Sequence, residues 1–193
     1  MAITTKTLIN FSILLLICFI TACSDHTPTI TEDSYRVTEI KLADSPYKNT
    51  RDSLILITSD QLNLQLKDST EVYGILMDWN MKDAIVTVNA FASGDASIYM
   101  STGQKFVGGA EYEIIQTAAK DFVSLGNKHF AKAHEATKSG PPTKGRAGFY
   151  LLTSSGKYYL EGDAATLKDK DSPIRELFLS ANKVITEYRY ITE

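Results

Sequence analysis

One stretch of the chain has the spacing of a phosphate cradle. A strand-like run ends at Ser101-Thr102-Gly103, Gly108-Gly109 follows, and a helical pattern begins after it. Gly103 and Gly108 match the two glycines of G-x-x-x-x-G-K-[ST], a loop whose amides surround phosphates while its lysine reaches the outer ones and its hydroxyl holds Mg²⁺. Here Gly109 stands at the lysine position and Ala110 at the hydroxyl position. Glu111 and Glu113 then put negative charge at the helix start, where a phosphate would need positive potential. The nucleotide reading therefore fails on chemistry. Two others remain. The glycines can serve the backbone, with Gly103 turning the chain and Gly108-Gly109 setting the approach to the helix. Alternatively, amides at this junction, with the Ser101 and Thr102 hydroxyls, bind a small ligand or a partner.

The remaining candidate groups point away from catalysis. His129 and His134 are five residues apart, about 140° around a helix, so they cannot form a metal pair on one face. No cofactor motif and no metal site is readable. Ser154 and Ser155 sit in an expected hairpin turn, where serine is ordinary, and no G-x-S-x-G elbow occurs. Glu161 and Asp163 are close in sequence but read as a solvated strand end rather than as a glycosidase pair. Lys128, Lys132, Lys138, Lys144 and Arg146 form a loose basic group around the end of the first long helix. Helix-dipole complementarity and solubility account for it most simply, with an acidic partner or lipid headgroups as the other reading.

The N-terminus carries a different message. Leu8 to Ile20 is a run of thirteen mostly apolar residues, with Lys6 the only charge in the first 22. A membrane span needs about 20 residues, so the run has the length of a signal-peptide core. It closes in Ile20-Thr21-Ala22-Cys23. These four residues resemble the lipobox of bacterial lipoproteins. The resemblance implies cleavage before Cys23, with diacylglycerol and a further acyl chain such as palmitate on that cysteine. Several buried acyl chains make anchoring nearly permanent, at about 0.8 kcal/mol per CH₂. In enterobacterial lipoproteins an aspartate directly after the cysteine implies inner-membrane retention; Ser24 occupies that position and Asp25 the next. The implied location is the cell envelope, at the outer membrane facing the periplasm.

Removal of residues 1–22 discards Cys18 and would leave Cys23 as the sole, lipidated cysteine, which excludes disulfides, thiol catalysis and zinc-thiolate sites. Without Lys6, the 20 basic residues become 19 against 23 acidic, a net charge of −4. A mildly acidic chain is a poor partner for nucleic acid.

The rest of the chain must fold around these groups. Its 44% hydrophobic and 22% charged residues suit a globular domain. Residues 23–33 read as the lipidated cysteine and a tether, and 34–193 as one domain. Tyr35 to Leu42 is an expected strand, 43–52 a loop, and Leu54 to Leu66 ambiguous, with Thr58-Ser59-Asp60-Gln61 resembling a capping box. VYGILMDW, AIVTVNAFA and ASIYMS, joined by short connections, predict a three-strand antiparallel meander. Its first two runs are apolar almost throughout, so both sheet faces are expected to be covered.

A helix over 110–136 follows, with Ile115, Ala119, Phe122, Gly126 and Phe130 on its buried stripe. A hairpin is expected from AGFYLLT and KYYLEG around Ser154-Ser155-Gly156, then a charged, solvated segment over 163–171. A last helix begins at Ser172-Pro173. The fold class is α+β, an antiparallel-rich sheet with packed helices. The element order resembles profilin-like and roadblock-type domains. The run from Val72 to Ala119 is similar to uncharacterised bacterial proteins with a strand, Ser-Thr-Gly, Gly-Gly, helix segment, which implies a shared domain and no activity. Together these readings point to a non-enzymatic envelope lipoprotein whose domain binds a protein, for instance as an immunity protein. A small-ligand sensor or carrier using the 101–109 loop is the alternative.

Overall fold

The computed structural model describes residues 45–192. Cys23, the lipobox and the expected strand at Tyr35–Leu42 lie outside the described residues. Among the described residues no helix is long and apolar enough to cross a membrane.

The chain builds an antiparallel sheet of seven strands: β1 Gly74–Asn80, β2 Ile85–Phe91, β3 Ala96–Met100, β4 Lys105–Phe106, β5 His134–Glu135, β6 Ala147–Thr153 and β7 Gly156–Gly162. Their spatial order is β4-β3-β2-β1-β6-β7-β5. The expected meander and hairpin are its centre, and the α+β class holds. The two-residue strands β4 and β5 were not foreseen, because two residues are too few to show alternation. They close the two sheet edges, and such short edges offer little template for pairing with other chains.

Register explains the layering. Across β3, β2, β1, β6 and β7, one face carries the rows Ile98–Val88–Met77–Phe149–Leu160 and Ala96–Ala90–Ile75–Leu151–Tyr158. This apolar face packs on helices α2 (Glu113–His129) and α4 (Pro173–Thr192). Ile115, Ala119, Phe122 and Gly126 of α2 and Leu177, Ala181 and Val184 of α4 are buried there. Each large apolar side chain so buried contributes about 1.5–3 kcal/mol. Trp79 meets Phe178 edge-on, with ring centroids 5.0 Å apart, and ties β1 to α4.

The opposite face alternates with it and is mixed. Its rows are Tyr99–Thr87–Asp78–Gly148–Glu161 and Ser97–Asn89–Leu76–Tyr150–Tyr159. Helix α1, Pro46–Leu54, and the segment after it cover this face, laying Ile55, Leu62, Leu64 and Leu66 against Leu76, Phe91, Tyr150 and Leu152. Coverage of both faces was anticipated, but the covering helix was not, since 43–52 reads as a loop. The overlooked signal is Ser45-Pro46. The Ser45 hydroxyl accepts from the Lys48 amide at 3.2 Å, and proline takes the first helical position. The same dipeptide, Ser172-Pro173, does announce α4.

Elsewhere the differences are local. The capping box forms: Gln61 Oε1 accepts from the Thr58 amide at 2.8 Å, and Thr58 Oγ1 accepts from the Gln61 amide at 3.4 Å. It starts only one 3-10 turn, Asp60–Leu62, which Asn63 ends at φ 53°. The first long helix is shorter than the expected 110–136. A 3-10 turn, Gly109–Glu111, precedes it, and after Phe130–Lys132 the chain extends to pair β5 with β7. The charged stretch 163–171 contains a short helix, α3 (Ala164–Lys168), because the Asp163 carboxylate caps the Ala165 and Thr166 amides at 3.0 Å.

Candidate functional site

The glycine loop is not one strand-to-helix turn. At Met100 the chain reverses: Gly103 sits at φ +100°, its amide donates to the Met100 carbonyl at 2.9 Å, and β4 returns along β3. Ser101 is held from both sides, donating its amide to the Ile85 carbonyl and accepting the Ile85 amide on Oγ, each at 2.9 Å. Thr102 is exposed. After β4, Gly108 adopts φ +83° and starts the 3-10 turn that precedes α2.

Gly109 serves a close approach. A Cβ there would lie 2.5 Å from Tyr188 Oη, 2.6 Å from Ile115 Cγ2 and 3.0 Å from the Ala96 carbonyl oxygen. The Tyr188 hydroxyl donates to that carbonyl at 2.6 Å. Burial pushes the Tyr188 phenol up to about 12, against the Gly109 amide, which donates to it. The amides of Ser101, Gly103, Gly109, Glu111 and Tyr112 all donate within the protein. The loop's glycines therefore serve the backbone, and these five amides are not left for an anion.

What the loop does border is a cavity of about 300 Å³ between α1 and the β3–β4 hairpin. Tyr47, Thr50, Tyr99, Gly103, Lys105 and Val107 contribute to its wall. Tyr47 of this wall also belongs to a buried polar network that sequence reasoning did not foresee. Tyr47 Oη lies 2.7 Å from Thr87 Oγ1, and the Thr87 hydroxyl donates to Asp78 Oδ1 at 2.6 Å. Arg51 donates to Asp78 Oδ2 through Nε at 3.0 Å and Nη2 at 2.6 Å. Its Nη1 donates to Asp52 Oδ1 at 2.9 Å and to the Ser139 carbonyl. The guanidinium lies over the Tyr150 ring, 5.2 Å from its centroid, and the Tyr150 hydroxyl donates to the Gly140 carbonyl at 2.6 Å.

Arg51 and Asp78 are 1% and 0% exposed, so this is a fully desolvated ion pair. Burial alone would lower the Arg51 pKa, but the hydrogen bonds and charge of Asp78 and the hydrogen bond of Asp52 more than offset it, and it is raised. Desolvation pushes the Asp78 carboxyl up, against the opposing pull of Arg51 and Thr87. Burial, then the Asp78 charge, raises the Tyr47 phenol. Both Asp78 oxygens accept hydrogen bonds and solvent does not reach them. The group is thus placed to fix α1 on the sheet rather than to exchange protons with a substrate. In the sequence its signals were Asp78 and Thr87, polar residues set within apolar strands. The partner, Arg51, carries no local mark.

The other candidates disperse. His129 Nε2 lies 2.9 Å from Glu176 Oε2, which also accepts from Lys128 Nζ at 2.7 Å. His134 is in β5. Ser154 and Ser155 form the hairpin turn and bond back to Ser69. Asp163 is occupied as a helix cap, so it does not pair with Glu161 as a second acid. The basic group divides: Lys128 on Glu176, Lys138 and Arg146 on Glu161, with Lys132 and Lys144 apart. Among the described residues no three His, Cys, Asp or Glu side chains could jointly hold a metal ion.

Large apolar side chains remain exposed near the loop: Val107 at 55%, Tyr112 at 42% and Ile114 at 48%. Set against known families, curated proteins and solved structures, the chain matches none of them.

Proposed function

We propose that the chain is a lipid-anchored envelope protein whose described domain binds another protein and performs no catalysis. The lipobox supports the anchor at Cys23 and a location at the outer membrane, facing the periplasm. The observation that carries the binding role is the exposure of Val107, Tyr112 and Ile114 around Gly108-Gly109. The backbone beneath them is held by the β3–β4 hairpin and by Tyr188. A surface already ordered gives up little freedom on binding, and aromatic anchors are enriched at interfaces. One concrete version is an immunity protein that neutralises a toxin delivered to the periplasm. The net charge of −4 on the mature chain would speed its encounter with a basic partner.

The test is affinity capture from solubilised envelope with the lipidated protein. It should recover a partner that is lost with Val107→Asp/Ile114→Asp, both surface changes that leave the melting temperature unchanged. Recovery of no partner, or equal recovery by the variant, would overturn the reading. Cys23→Ala should release the protein from the membrane fraction.

A second reading is a small-ligand sensor or carrier. The cavity of about 300 Å³ beside Gly103 favours it, at the lower end of the range for ligand sites. Thermal-shift screening in which no compound stabilises the protein would dispose of it.

A further inference from the structure

At the opposite sheet edge, β5 and β7 border a second cavity of about 380 Å³. Its lining combines the basic side chains of Lys132, His134 and Lys138 with apolar Leu160, Pro173 and Ile174, and includes Tyr159. The register puts His134, Tyr159 and Glu161 on one face of the sheet and Leu160 on the other. Lys138 Nζ lies 4.6 Å from the centre of that ring.

Among the described residues, Glu161 is the only carboxylate in this wall, and it is already engaged. Its Oε2 accepts from Lys138 Nζ at 2.9 Å and from the Tyr159 hydroxyl at 2.7 Å. Its Oε1 lies 3.2 Å from Arg146 Nε. Burial would raise its pKa, but the bonds from Lys138 and Tyr159 and the neighbouring cations leave it lowered, so it stays ionised and balanced. By contrast, Lys132 Nζ and the His134 ring make no hydrogen bond or ion pair with the described residues. The wall thus holds more positive than negative charge, beside apolar Leu160, Pro173 and Ile174. A lysine that only serves solubility does not need such a setting, nor a neighbour such as Lys138 held over a ring.

From this lining we infer that the β5–β7 cavity binds a small organic anion, with its carboxylate or phosphate on Lys132, His134 and Lys138 and an apolar body against Leu160, Pro173 and Ile174. A neutral ligand would leave Lys132 unpaired, and a cation would meet only a carboxylate already neutralised. Charge-assisted hydrogen bonds fix the head group, and the apolar residues add burial roughly in proportion to area. The site is separate from the 101–114 surface, so its existence does not depend on the proposed protein partner.

The test uses phenyl phosphate and benzoate, with benzyl alcohol as the neutral control, followed by NMR shifts of the whole domain. At least one anion should give saturable shifts centred on residues 132–138 and 159–162, with none from the alcohol. Lys132→Gln/His134→Gln should weaken binding about tenfold, the loss of one good charge-assisted contact. Neither side chain supports the fold, so the variant should melt as the parent does. Lys144→Gln, a lysine outside the cavity, should leave affinity unchanged. Preference for phenyl phosphate would assign a phosphate head, and preference for benzoate a carboxylate head. No saturable shift with either anion, equal binding by the double variant, or equal weakening by Lys144→Gln would overturn the inference.

Discussion

The two faces of this sheet are buried alike and held differently. On the α2–α4 face the central rows are apolar, and Phe122, Phe149, Leu177 and Val184 are fully shielded. On the α1 face the equivalent rows contain Asp78, Thr87, Asn89 and Glu161 among tyrosines and leucines. The first face gains stability from area and packing, which are non-directional. The second depends on partners at fixed distances, because each polar group there would be costly if left unpaired. An apolar face can repack around a changed side chain. A face built on a desolvated ion pair keeps its geometry or loses it as a unit.

The largest expected effect tests this difference directly. Asp78→Ala leaves Arg51 Nε and Nη2 without their acceptor in the interior and should destabilise by about 3–5 kcal/mol in urea unfolding. Phe122→Ala should cost a similar amount, about 3–5 kcal/mol, through its cavity. Reversibility separates them. Arg51→Met/Asp78→Leu removes both charges and should recover most of the loss, since apolar replacement of a buried pair is often neutral or stabilising. If Asp78→Ala costs less than about 1 kcal/mol, the ion pair is not what holds α1 and the contrast between the faces collapses.

The same contrast decides what the sequence discloses. Apolar rows are periodic, so the meander, the 147–162 hairpin, and the buried stripes of α2 and α4 are readable from spacing alone. The polar face leaves only half of its pattern in view. Thr87 and Asn89 alternate with valines, but nothing local connects Asp78 to Arg51, which is 27 positions away. Helix α1 is brief and amphipathic only through that arginine and Tyr47, so its apolar signal is weak. Ser45-Pro46 was its one local mark. The glycine loop shows the limit from the other side. Its spacing is visible, yet the reason for Gly109 is Tyr188, a residue 79 positions later whose approach no sequence pattern states. The second cavity was partly legible as a basic cluster, but the partition into paired and unpaired lysines follows from Glu161 and Glu176, which the fold alone brings near.

A middle-sized effect probes the apolar face at its tightest point. Gly109→Ala places a methyl against Tyr188 Oη, Ile115 Cγ2 and the Ala96 carbonyl, and overpacking of this kind costs about 1–3 kcal/mol. In a Tyr188→Phe background the nearest of these atoms is gone, so the added cost of Gly109→Ala should shrink. Gly103→Ala should behave otherwise. No atom lies within 4 Å of a Cβ there, and its φ of +100° is the whole difficulty. Its destabilisation, about 1–2 kcal/mol from left-handed backbone strain, should be the same in either background. If the cost of Gly109→Ala did not shrink in the Tyr188→Phe background, the contact with Tyr188 Oη would not be what this glycine serves, and urea midpoints of the five variants decide it.

The smallest effect is one that only the polar face can show. Glu161 ionises below its ordinary 4.5: burial works against this, but hydrogen bonds from Lys138 and Tyr159 and the charges of Lys138 and Arg146 prevail. A carboxylate whose folded pKa is depressed adds stability that is fully present above its unfolded value. That part is lost as pH falls from the unfolded value through the lower folded one. The side chain is 28% exposed, so solvent screens much of the interaction. Glu161→Gln should accordingly lower the urea midpoint slightly at neutral pH, and the gap from the parent should close as the pH is taken from neutrality to below 4.5. A cavity variant of the apolar face, Phe122→Leu, has no proton to exchange, so its gap from the parent should stay constant over the same range. A constant gap for Glu161→Gln as well would remove Glu161 from the groups that couple this face to protons. The bonds from Lys138 and Tyr159 would then add nothing to stability beyond what glutamine supplies, and the directional character of this face would rest on Arg51, Asp78, Thr87 and Asn89.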